Sequence, residues 1–372
     1  MTRRQEGSLP VGKPVTASGF GTLIRGFDLG AADDEALAAL RRRWLASGGL
    51  LILRGAESVC PRDFLRFCEA FGALEKNEKY DPDYLLPGYP EILRLGNLRR
   101  GGRYRSLFVR ADRGARIQWH TDDSFRCPQP AGSIFLCRVH PEEGGGTWYA
   151  GMAHAAAALP RELRRRTAGR HAVHSYSFLD TELRKTNPHR RPLSREVRRR
   201  HPPVVRPLLS HHPETGREVL CIPDCHIAAV SGLSPDATRE LLRDLVAYAT
   251  QPQFSVNWAW QPGDVAVWDN RSAMHAGSPF DETEARLLYR VTFAGPDSLL
   301  QDPPTRFQSW RQRLSCGGSG GASGTRSLAH GRRRVRSLGR GSLPDRGGSG
   351  RRPTPSDRRG PAPHPPHPRR RA

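Results

Sequence analysis

The sequence predicts a mainly β fold with flanking helices, an α+β domain built around a single barrel. The chain of 372 residues could hold two domains by length, but its first 300 residues suit one sizeable core. Short apolar runs with alternating polarity, such as that around Val265 and Val267, are typical of half-buried strands. The residue types that carry chemistry lie in or beside these runs. The sequence therefore places function on strands.

Four segments have apolar residues at a spacing near 3.6 and predict helices. They cover residues 34–46, 61–71, 154–168 and 236–249. The last follows Ser234 and Pro235, which is a typical helix start. Residues 180–203 are basic and contain prolines, so we predict an insertion or lid over the mouth of a site rather than core.

Strands and a turn are predicted towards the C-terminal end of the domain. The run DVAVWDNRSAMHA alternates through Val267, enters a polar turn at Asp269, and continues in a short segment that carries His275. The apolar run ARLLYRVTFAG predicts the next strand. Arg286 and Arg290 are four residues apart, so both face the same side of that strand.

A His-x-Asp motif in WHTDDSF is the main candidate for a metal site. On an extended strand His120 and Asp122 project from the same face, and His275 can complete the set from a second strand. Two imidazoles and one carboxylate leave three adjacent metal positions open, which is typical of non-haem Fe(II) enzymes that activate oxygen. The pattern predicts an oxygenase.

Other motifs compete with this one. His140-Pro141-Glu142 and His212-Pro213-Glu214 also place a histidine two residues before a carboxylate, although the central proline favours a turn or a strand edge. Cys221, Cys225 and His226 form a further candidate, for zinc, without the second close pair that structural zinc sites usually have.

Several segments together resemble the taurine dioxygenase family, which includes the dichlorophenoxyacetate-degrading dioxygenases. They are WHTDDSF, PEEGGGTWYA, WQPGDVAVWDNRSAMHAG and RLLYRVTF, in that order and at similar spacing. The segments GFGTLIRGFDLG, DDEALAALRRRWLASGGLLILRG and FLRFCEAFGAL look like the family's opening strand, helix, strand and helix. The resemblance covers about residues 19–296.

This resemblance implies a double-stranded β-helix, a jelly-roll of the cupin type, that uses Fe(II), 2-oxoglutarate and O2. It implies that the iron ligands are His120, Asp122 and His275. Thr147 and Arg286 look like the residues that bind the distal carboxylate of 2-oxoglutarate. The expected reaction is hydroxylation of an unactivated C–H bond, with release of succinate and CO2. Because related halogenases lack the carboxylate ligand, Asp122 disfavours halogenation.

The residues expected to bind the substrate match the family less closely. Arg290 matches the arginine that holds the anionic group of taurine, so a small anionic or amino-acid-like metabolite is expected, whether a nutrient or a natural-product intermediate. Arg116 stands where the taurine enzyme has an asparagine, and EKNEKYDPDY replaces a loop that there carries a histidine. We interpret Arg116 as a second residue for a larger or more acidic substrate. Trp268, Asn270 and Arg271 are expected to orient His275.

Composition divides the chain into three parts: an N-terminal extension (1–18), an oxygenase domain (19–300) and a tail (301–372). The tail carries 17 arginines and 3 aspartates, a net +14 of the formal +22 of the whole chain. It has no aromatic residue after Trp310 and is predicted to be disordered. Such a tail suggests an alternative function, binding or modification of nucleic acid. The body lacks a nucleic-acid motif, so only nonspecific tail contacts are expected.

The seven cysteines form no C-x-x-C pair and follow no secretory segment, so reduced thiols and a cytoplasmic location are expected. No apolar run approaches the roughly 18 residues of a membrane span, so no membrane partner is expected. The expected partner is a small-molecule substrate, and a homo-oligomer is compatible with the sequence.

The tail generates the first prediction. Truncation after Trp310 should leave succinate formation within a few-fold of the full chain, because the removed segment lacks apolar side chains that could dock on the domain. Succinate assays on both proteins test this. Loss of folding on truncation would show that the tail packs on the body.

Overall fold

The computed structural model of the chain describes residues 9–78, 80–100, 103–106, 118–186, 190–281 and 283–296. Arg116 and the predicted tail, residues 301–372, lie outside these ranges. The division into extension, domain and tail therefore stays a prediction.

Seventeen strands lie in the described residues. They are β1 Lys13–Pro14, β2 Thr22–Arg25, β3 Leu50–Arg54, β4 Leu85–Leu86, β5 Tyr89–Arg100, β6 Arg103–Ser106, β7 Gly132–Val139, β8 Thr147–Gly151, β9 His171–His174, β10 Val204–Pro207, β11 Leu209–His211, β12 Glu218–Leu220, β13 Ile227–Val230, β14 Ser255–Trp258, β15 Val265–Asp269, β16 Ala273–Gly277 and β17 Arg286–Phe293. The helices are α1 Asp34–Ala46, α2 Pro61–Glu69, α3 Met152–Ala157, α4 Arg161–Thr167, α5 Tyr176–Thr186, α6 Arg195–Arg200 and α7 Pro235–Ala249. Two short 3-10 helices cover Pro82–Tyr84 and Asp224–His226.

Two sheets form the barrel. The large sheet has the strand order β1-β2-β3-β15-β7-β17-β5-β4, with β6 paired to β5, and its pairs are antiparallel except β2–β3. The small sheet has the order β14-β8-β16. Strands that follow each other in sequence, such as β15 and β16, lie in different sheets, as the predicted double-stranded β-helix requires.

Successive residues along a strand point alternately to the inside of the barrel and to its outer face. Leu288 of β17 is buried with Phe135, Trp268 and Tyr149 between the sheets. Val291 of the same strand packs outside, in the cluster covered by α1 and α2. The outer face of the small sheet packs against α3 and α7. The prediction that Arg286 and Arg290 face the same side of this strand follows the same alternation, and Leu288 lies between them on that side.

The predicted helices are largely confirmed. The first matches α1 at both ends, and its first turn is capped by the Asp33 side chain, which accepts from the backbone N–H of Ala36 at 2.8 Å. The single helix predicted over 154–168 is wrong, because α3 ends at Ala157 and α4 begins only after Pro160. Proline lacks the backbone donor that a continuous helix needs.

The predicted insertion, residues 180–203, contains the second half of α5 and all of α6. No residue of α6 is buried, as expected for a segment outside the core. Asp180, in the α5 part of the insertion, is by contrast buried. It is 3% exposed and accepts hydrogen bonds from Arg184 and Arg190. The ring of Tyr176 in α5 stacks on Phe125 of the WHTDDSF motif, with centroids 4.7 Å apart. The insertion itself contacts this motif through His201, whose ring lies edge-on to Phe125 with centroids 6.1 Å apart.

Among the described residues, no helix is long and apolar enough to cross a membrane.

Packing on the outer face of the large sheet generates the second prediction. The buried ring of Phe293 contacts Trp44 and Phe71 edge-on or tilted, with centroids 5.8 and 6.0 Å apart. Phe293→Ala should lower the free energy of unfolding by roughly 3–5 kcal/mol, because it leaves a cavity beneath α1 and α2. Val11→Ala, at a side chain that is 89% exposed, should change it by less than about 0.5 kcal/mol. Urea unfolding of both variants measures the difference, and equal effects would contradict this account of the core.

Candidate active site

His120 is attached to the barrel through the backbone of His275. The two residues form an antiparallel bridge, with N–H···O distances of 2.9 Å from His120 and 2.7 Å from His275. The His120 ring nitrogen Nδ1 lies 2.8 Å from the carbonyl oxygen of Gln118 and can donate to it. This bond orients the ring and leaves Nε2 as the metal-binding atom.

Asp122 does not lie on the extended strand that the sequence predicted. Only His120 forms a bridge, and the chain turns at Asp122, where the next residue, Asp123, has a φ of 48°. The turn nevertheless brings both side chains to one place, because His120, Asp122 and His275 each offer a ligand atom and these atoms lie within 4.8 Å of one another. In the described part of the chain this is the one such group of His, Cys, Asp or Glu side chains.

Only one of the two carboxylate oxygens of Asp122 is held by neighbouring side chains. Its Oδ2 accepts from the Ser133 hydroxyl at 2.8 Å and lies 3.0 Å from a terminal nitrogen of Arg290. Its Oδ1 lies 3.8 Å from His275 Nε2 and faces the histidines. Burial by itself raises the pKa of Asp122, but the neighbouring groups, the positive charge of Arg290 first among them, outweigh burial and lower the pKa below its ordinary value. The group is an anion with one oxygen available to a cation.

His275 is buried against the ring of Trp268, with centroids 4.9 Å apart. Burial, followed by the charge of His120, lowers the pKa of His275 to about 3. The ring is therefore neutral near pH 7, which is the form that binds metals.

The turn between β15 and β16 supports the ligands from behind. Asn270 Oδ1 accepts from Trp268 Nε1 at 3.1 Å and from the backbone N–H of Asp122 at 3.3 Å. The Arg271 guanidinium pairs with Asp269, at 2.9 Å to Oδ1 and 2.7 Å to Oδ2. Trp268 contacts His275 as expected, whereas Asn270 holds Asp122 and Arg271 stabilises the turn.

The loop after Asp122 is anchored by residues that the sequence analysis missed. The fully buried Arg206 donates to the carbonyl oxygens of Ser124 at 3.0 Å and Arg126 at 2.8 Å. The Ser124 hydroxyl lies 2.9 Å from His174 Nδ1 and 2.8 Å from His226 Nδ1. Burial lowers the pKa of both histidines, that of His226 to about 3. His226 thus stabilises the loop through Ser124. Among the described residues, it forms no zinc-binding group with Cys221 and Cys225.

The two competing His-Pro-Glu motifs form no metal site in the described chain. His212 lies in the turn of the β11–β12 hairpin, where its Nε2 bonds Asp269 at 3.0 Å and its Nδ1 accepts from the backbone N–H of Glu214 at 3.2 Å. His140 directly follows β7 and lies near Arg286, away from the His-Asp-His group.

Thr147 and Arg286 meet at the GGGT loop. Thr147 begins β8 and accepts from Trp260 Nε1 at 3.0 Å, so its own hydroxyl hydrogen can be donated elsewhere. Arg286 begins β17 and donates through Nε to the carbonyl oxygen of Gly145 at 3.0 Å. Tyr149, two residues beyond Thr147, pairs with His275 across the small sheet. Two residues of a strand span about 7 Å, so a short dicarboxylate can reach from the metal group to Thr147.

These residues fit both iron and 2-oxoglutarate. The buried atoms His275 Nδ1 and Arg290 Nε have no hydrogen-bond partner among the described residues. The donor set of two imidazoles and one carboxylate suits Fe(II), and a guanidinium beside a threonine hydroxyl suits a carboxylate. The site is also lined by Trp260, Ser133 and Tyr149, which no local motif marks as functional.

Comparison with known proteins agrees with this site. Residues 12–292 match the family described as taurine catabolism dioxygenase TauD, TfdA family. The chain belongs to this family. Two curated relatives are similar over most of their length. An (S)-phenoxypropionate/alpha-ketoglutarate-dioxygenase of Sphingobium herbicidovorans is 30% identical over 76% of this chain and 94% of its own. A pentalenolactone F synthase of Streptomyces arenae is 31% identical over 78% of this chain and 95% of its own.

Solved structures show the same architecture. The crystal structure of AAD-2 with Mn(II) and N-oxalylglycine covers 78% of this chain and 99% of its own, with a TM-score of 0.64 at 24% identity, and so supports the fold alone. A taurine dioxygenase from Burkholderia xenovorans covers 77% of this chain and 91% of its own, with a TM-score of 0.58 at 26% identity. The predicted jelly-roll is confirmed.

Family membership also confirms the predicted enzyme class. The protein is a 2-oxoglutarate-dependent non-haem iron dioxygenase that uses Fe(II), 2-oxoglutarate (alpha-ketoglutarate) and O2. A small-molecule substrate fits this class.

The third prediction concerns the metal group. Asp122→Ala should abolish the visible band that anaerobic Fe(II) and 2-oxoglutarate give together, because it removes a ligand. Ser133→Ala should weaken Fe(II) binding by about 10- to 100-fold, since Ser133 only orients the carboxylate. Anaerobic titration with Fe(II) measures both effects, with His211→Ala, at an exposed residue of β11, as the control. An unchanged band in Asp122→Ala would remove this group from consideration.

Proposed function

We propose that this dioxygenase hydroxylates an unactivated C–H bond of a small anionic metabolite at the site described above. In this proposal His120, Asp122 and His275 hold Fe(II), while Thr147 and Arg286 bind the distal carboxylate of 2-oxoglutarate. The observation that carries it is the arrangement of three ligand atoms within 4.8 Å of one another, joined through β8 to a threonine and an arginine at the GGGT loop.

The bound iron, 2-oxoglutarate and O2 supply the oxidising power, and the products are succinate, CO2 and the hydroxylated substrate. The protein positions the reactants and excludes water. Ser133 and Arg290 fix one oxygen of Asp122, so that the other can serve the metal. The bond from His120 Nδ1 to Gln118 keeps Nε2 directed to the same point.

The substrate class rests on Arg290 and on the relatives. The Arg290 side chain is 15% exposed, and its guanidinium has five donors, of which Asp122 and Ser133 use one nitrogen. The relatives are named for phenoxypropionate and 2,4-dichlorophenoxyacetate, which are carboxylates. The pentalenolactone F synthase makes a natural-product intermediate an equal candidate to a nutrient. Arg116 remains a proposed second substrate residue, outside the described structure.

Three further expectations stay proposals. A cytoplasmic location is supported by the six described cysteines, all of which are free thiols. The alternative function, binding or modification of nucleic acid, depends on the basic tail at residues 301–372. A homo-oligomer is compatible with the chain.

The fourth prediction separates the two arginines of β17. Arg286→Ala should raise the Michaelis constant for 2-oxoglutarate at least about 30-fold, because it leaves a desolvated carboxylate without its cation, at a cost of roughly 2–5 kcal/mol. Arg290→Ala should weaken binding of the primary substrate and leave binding of 2-oxoglutarate unchanged. Decarboxylation of 2-oxoglutarate should then continue uncoupled from hydroxylation.

Steady-state constants for both reactants, measured in both variants, decide the matter. Arg239→Ala, at a 72% exposed side chain of α7, is the matched control and should change neither constant. Equal effects of the two variants on 2-oxoglutarate would refute the division of roles. If Arg290→Ala affects no candidate carboxylate or sulfonate substrate, that arginine only holds Asp122.

A further inference from the structure

The Ser124 hydroxyl joins the loop after Asp122 to two buried histidines. Its Oγ lies 2.9 Å from Nδ1 of His174, the last residue of β9, and 2.8 Å from Nδ1 of His226, the last residue of the second 3-10 helix. Ser124 and His174 are fully buried, and His226 is 4% exposed. The three side chains lie outside the group of metal-ligand atoms.

The two histidines belong to a frame whose backbone bonds do not involve this loop. Strand β9 pairs with β13, which directly follows the 3-10 helix, and the backbone N–H of Ser175 donates to the carbonyl oxygen of His226 at 2.8 Å. Arg206, on the neighbouring strand β10, donates to the carbonyl oxygen of Ser124. The sheet β10-β9-β13 and the 3-10 helix therefore hold the loop through its backbone and through one hydroxyl.

The single hydrogen of this hydroxyl requires the two rings to carry their protons on different nitrogens. Burial lowers the pKa of both histidines, so each ring is neutral near pH 7 and has one N–H. For both contacts to be hydrogen bonds, Ser124 donates to one Nδ1 atom and accepts from the other. One histidine is therefore the Nδ1–H tautomer, and the other is the Nε2–H tautomer.

A neighbouring thiol indicates which ring is which. The Sγ atom of Cys221 lies 4.0 Å from Nε2 of His174, and its S–H can donate there, which leaves the proton of His174 on Nδ1. His174 then donates to Ser124, and Ser124 donates to Nδ1 of His226. The donors run in one direction, from the thiol through His174 and Ser124 to the second ring.

We propose that Ser124 and His174 are positioning residues for the proposed metal ligand Asp122, with His174 as the Nδ1–H tautomer and His226 as the Nε2–H tautomer. The held hydroxyl fixes the turn two residues after Asp122, so that Oδ1 of this carboxylate keeps its direction towards the histidine ligands. The inference rests on the ligand set assigned under Proposed function and adds residues that act through the loop.

Long-range proton–nitrogen NMR correlations of the full-length protein, with isotope-labelled histidine and diamagnetic Zn(II) in place of iron, read the tautomers directly. We expect a proton on Nδ1 of His174 and on Nε2 of His226, with each signal assigned by its loss in His174→Asn or His226→Asn. Ser124→Ala should change the nitrogen shifts of both rings, because it removes the group that couples them. The same tautomer in both histidines, or unchanged shifts in Ser124→Ala, would overturn the proposal.

Anaerobic Fe(II) titration of the folded full-length protein tests the positioning role. Ser124→Ala and His174→Leu should each raise the dissociation constant of Fe(II) by about 5- to 10-fold, the loss expected for one hydrogen bond. His174→Asn, which keeps a donor near the position of Nδ1, should stay within about 2-fold of the unmodified protein. Ser210→Ala is the matched control, because the buried Ser210 hydroxyl has no hydrogen-bond partner among the described residues.

Urea unfolding of the same variants separates positioning from general stability. If stability falls while the dissociation constant of Fe(II) stays unchanged, the bridge only packs the loop and the proposal is overturned. If Asp122→Ala leaves Fe(II) binding unchanged, the ligand set assigned under Proposed function fails instead, and the NMR result still decides the tautomers.

Discussion

The backbone bridge between His120 and His275 is the contact on which the site depends. Its two hydrogen bonds, 2.9 and 2.7 Å long, bring two imidazoles to a centroid distance of 4.1 Å. The bridge fixes a turn to a strand of the small sheet, so any shift of that strand moves both ligands together. Arg206 and Asn270 hold the same turn from other directions, through backbone atoms of the loop that carries Asp122. The turn that carries His120 and Asp122 is therefore held by hydrogen bonds from three separate segments of the chain.

Buried charge is balanced pairwise around this bridge. Asp122 is paired with Arg290, and Asp269 is paired with Arg271, which itself is fully buried in its side chain. A buried carboxylate that loses its arginine leaves an uncompensated charge, which typically costs about 3–5 kcal/mol. Asp269 has no oxygen left to bind a metal, since Arg271 bonds Oδ1 and Oδ2 and His212 also bonds Oδ2. The pair at Asp122 keeps one, and this difference separates a structural carboxylate from the proposed metal ligand.

Local patterns in the sequence predicted the strands and their faces but not the contacts between distant segments. The alternation in β15 and β17 identifies inward residues because strand geometry repeats every two residues. The extended conformation expected for His120 and Asp122 was wrong, because the chain turns from Asp122 onward, with a positive φ at Asp123. Ser133, Trp260 and Arg206 were missed because each acts on a residue that only folding brings near. Thr147 and Arg286 were proposed only through the family resemblance, because no local pattern marks them.

The proposed role of Arg290 in substrate binding would link substrate recognition to Asp122, the proposed metal ligand. The Arg290 guanidinium lies 3.0 Å from Asp122, and the arginine side chain is 15% exposed. An anion bound at Arg290 would share with Asp122 the positive charge that lowers the pKa of that carboxyl group. The ring of His201 in the insertion lies edge-on to Phe125, three residues after Asp122, so a substrate that moves the insertion would act on the same loop. Substrate identity can therefore vary through these segments while the barrel keeps its chemistry.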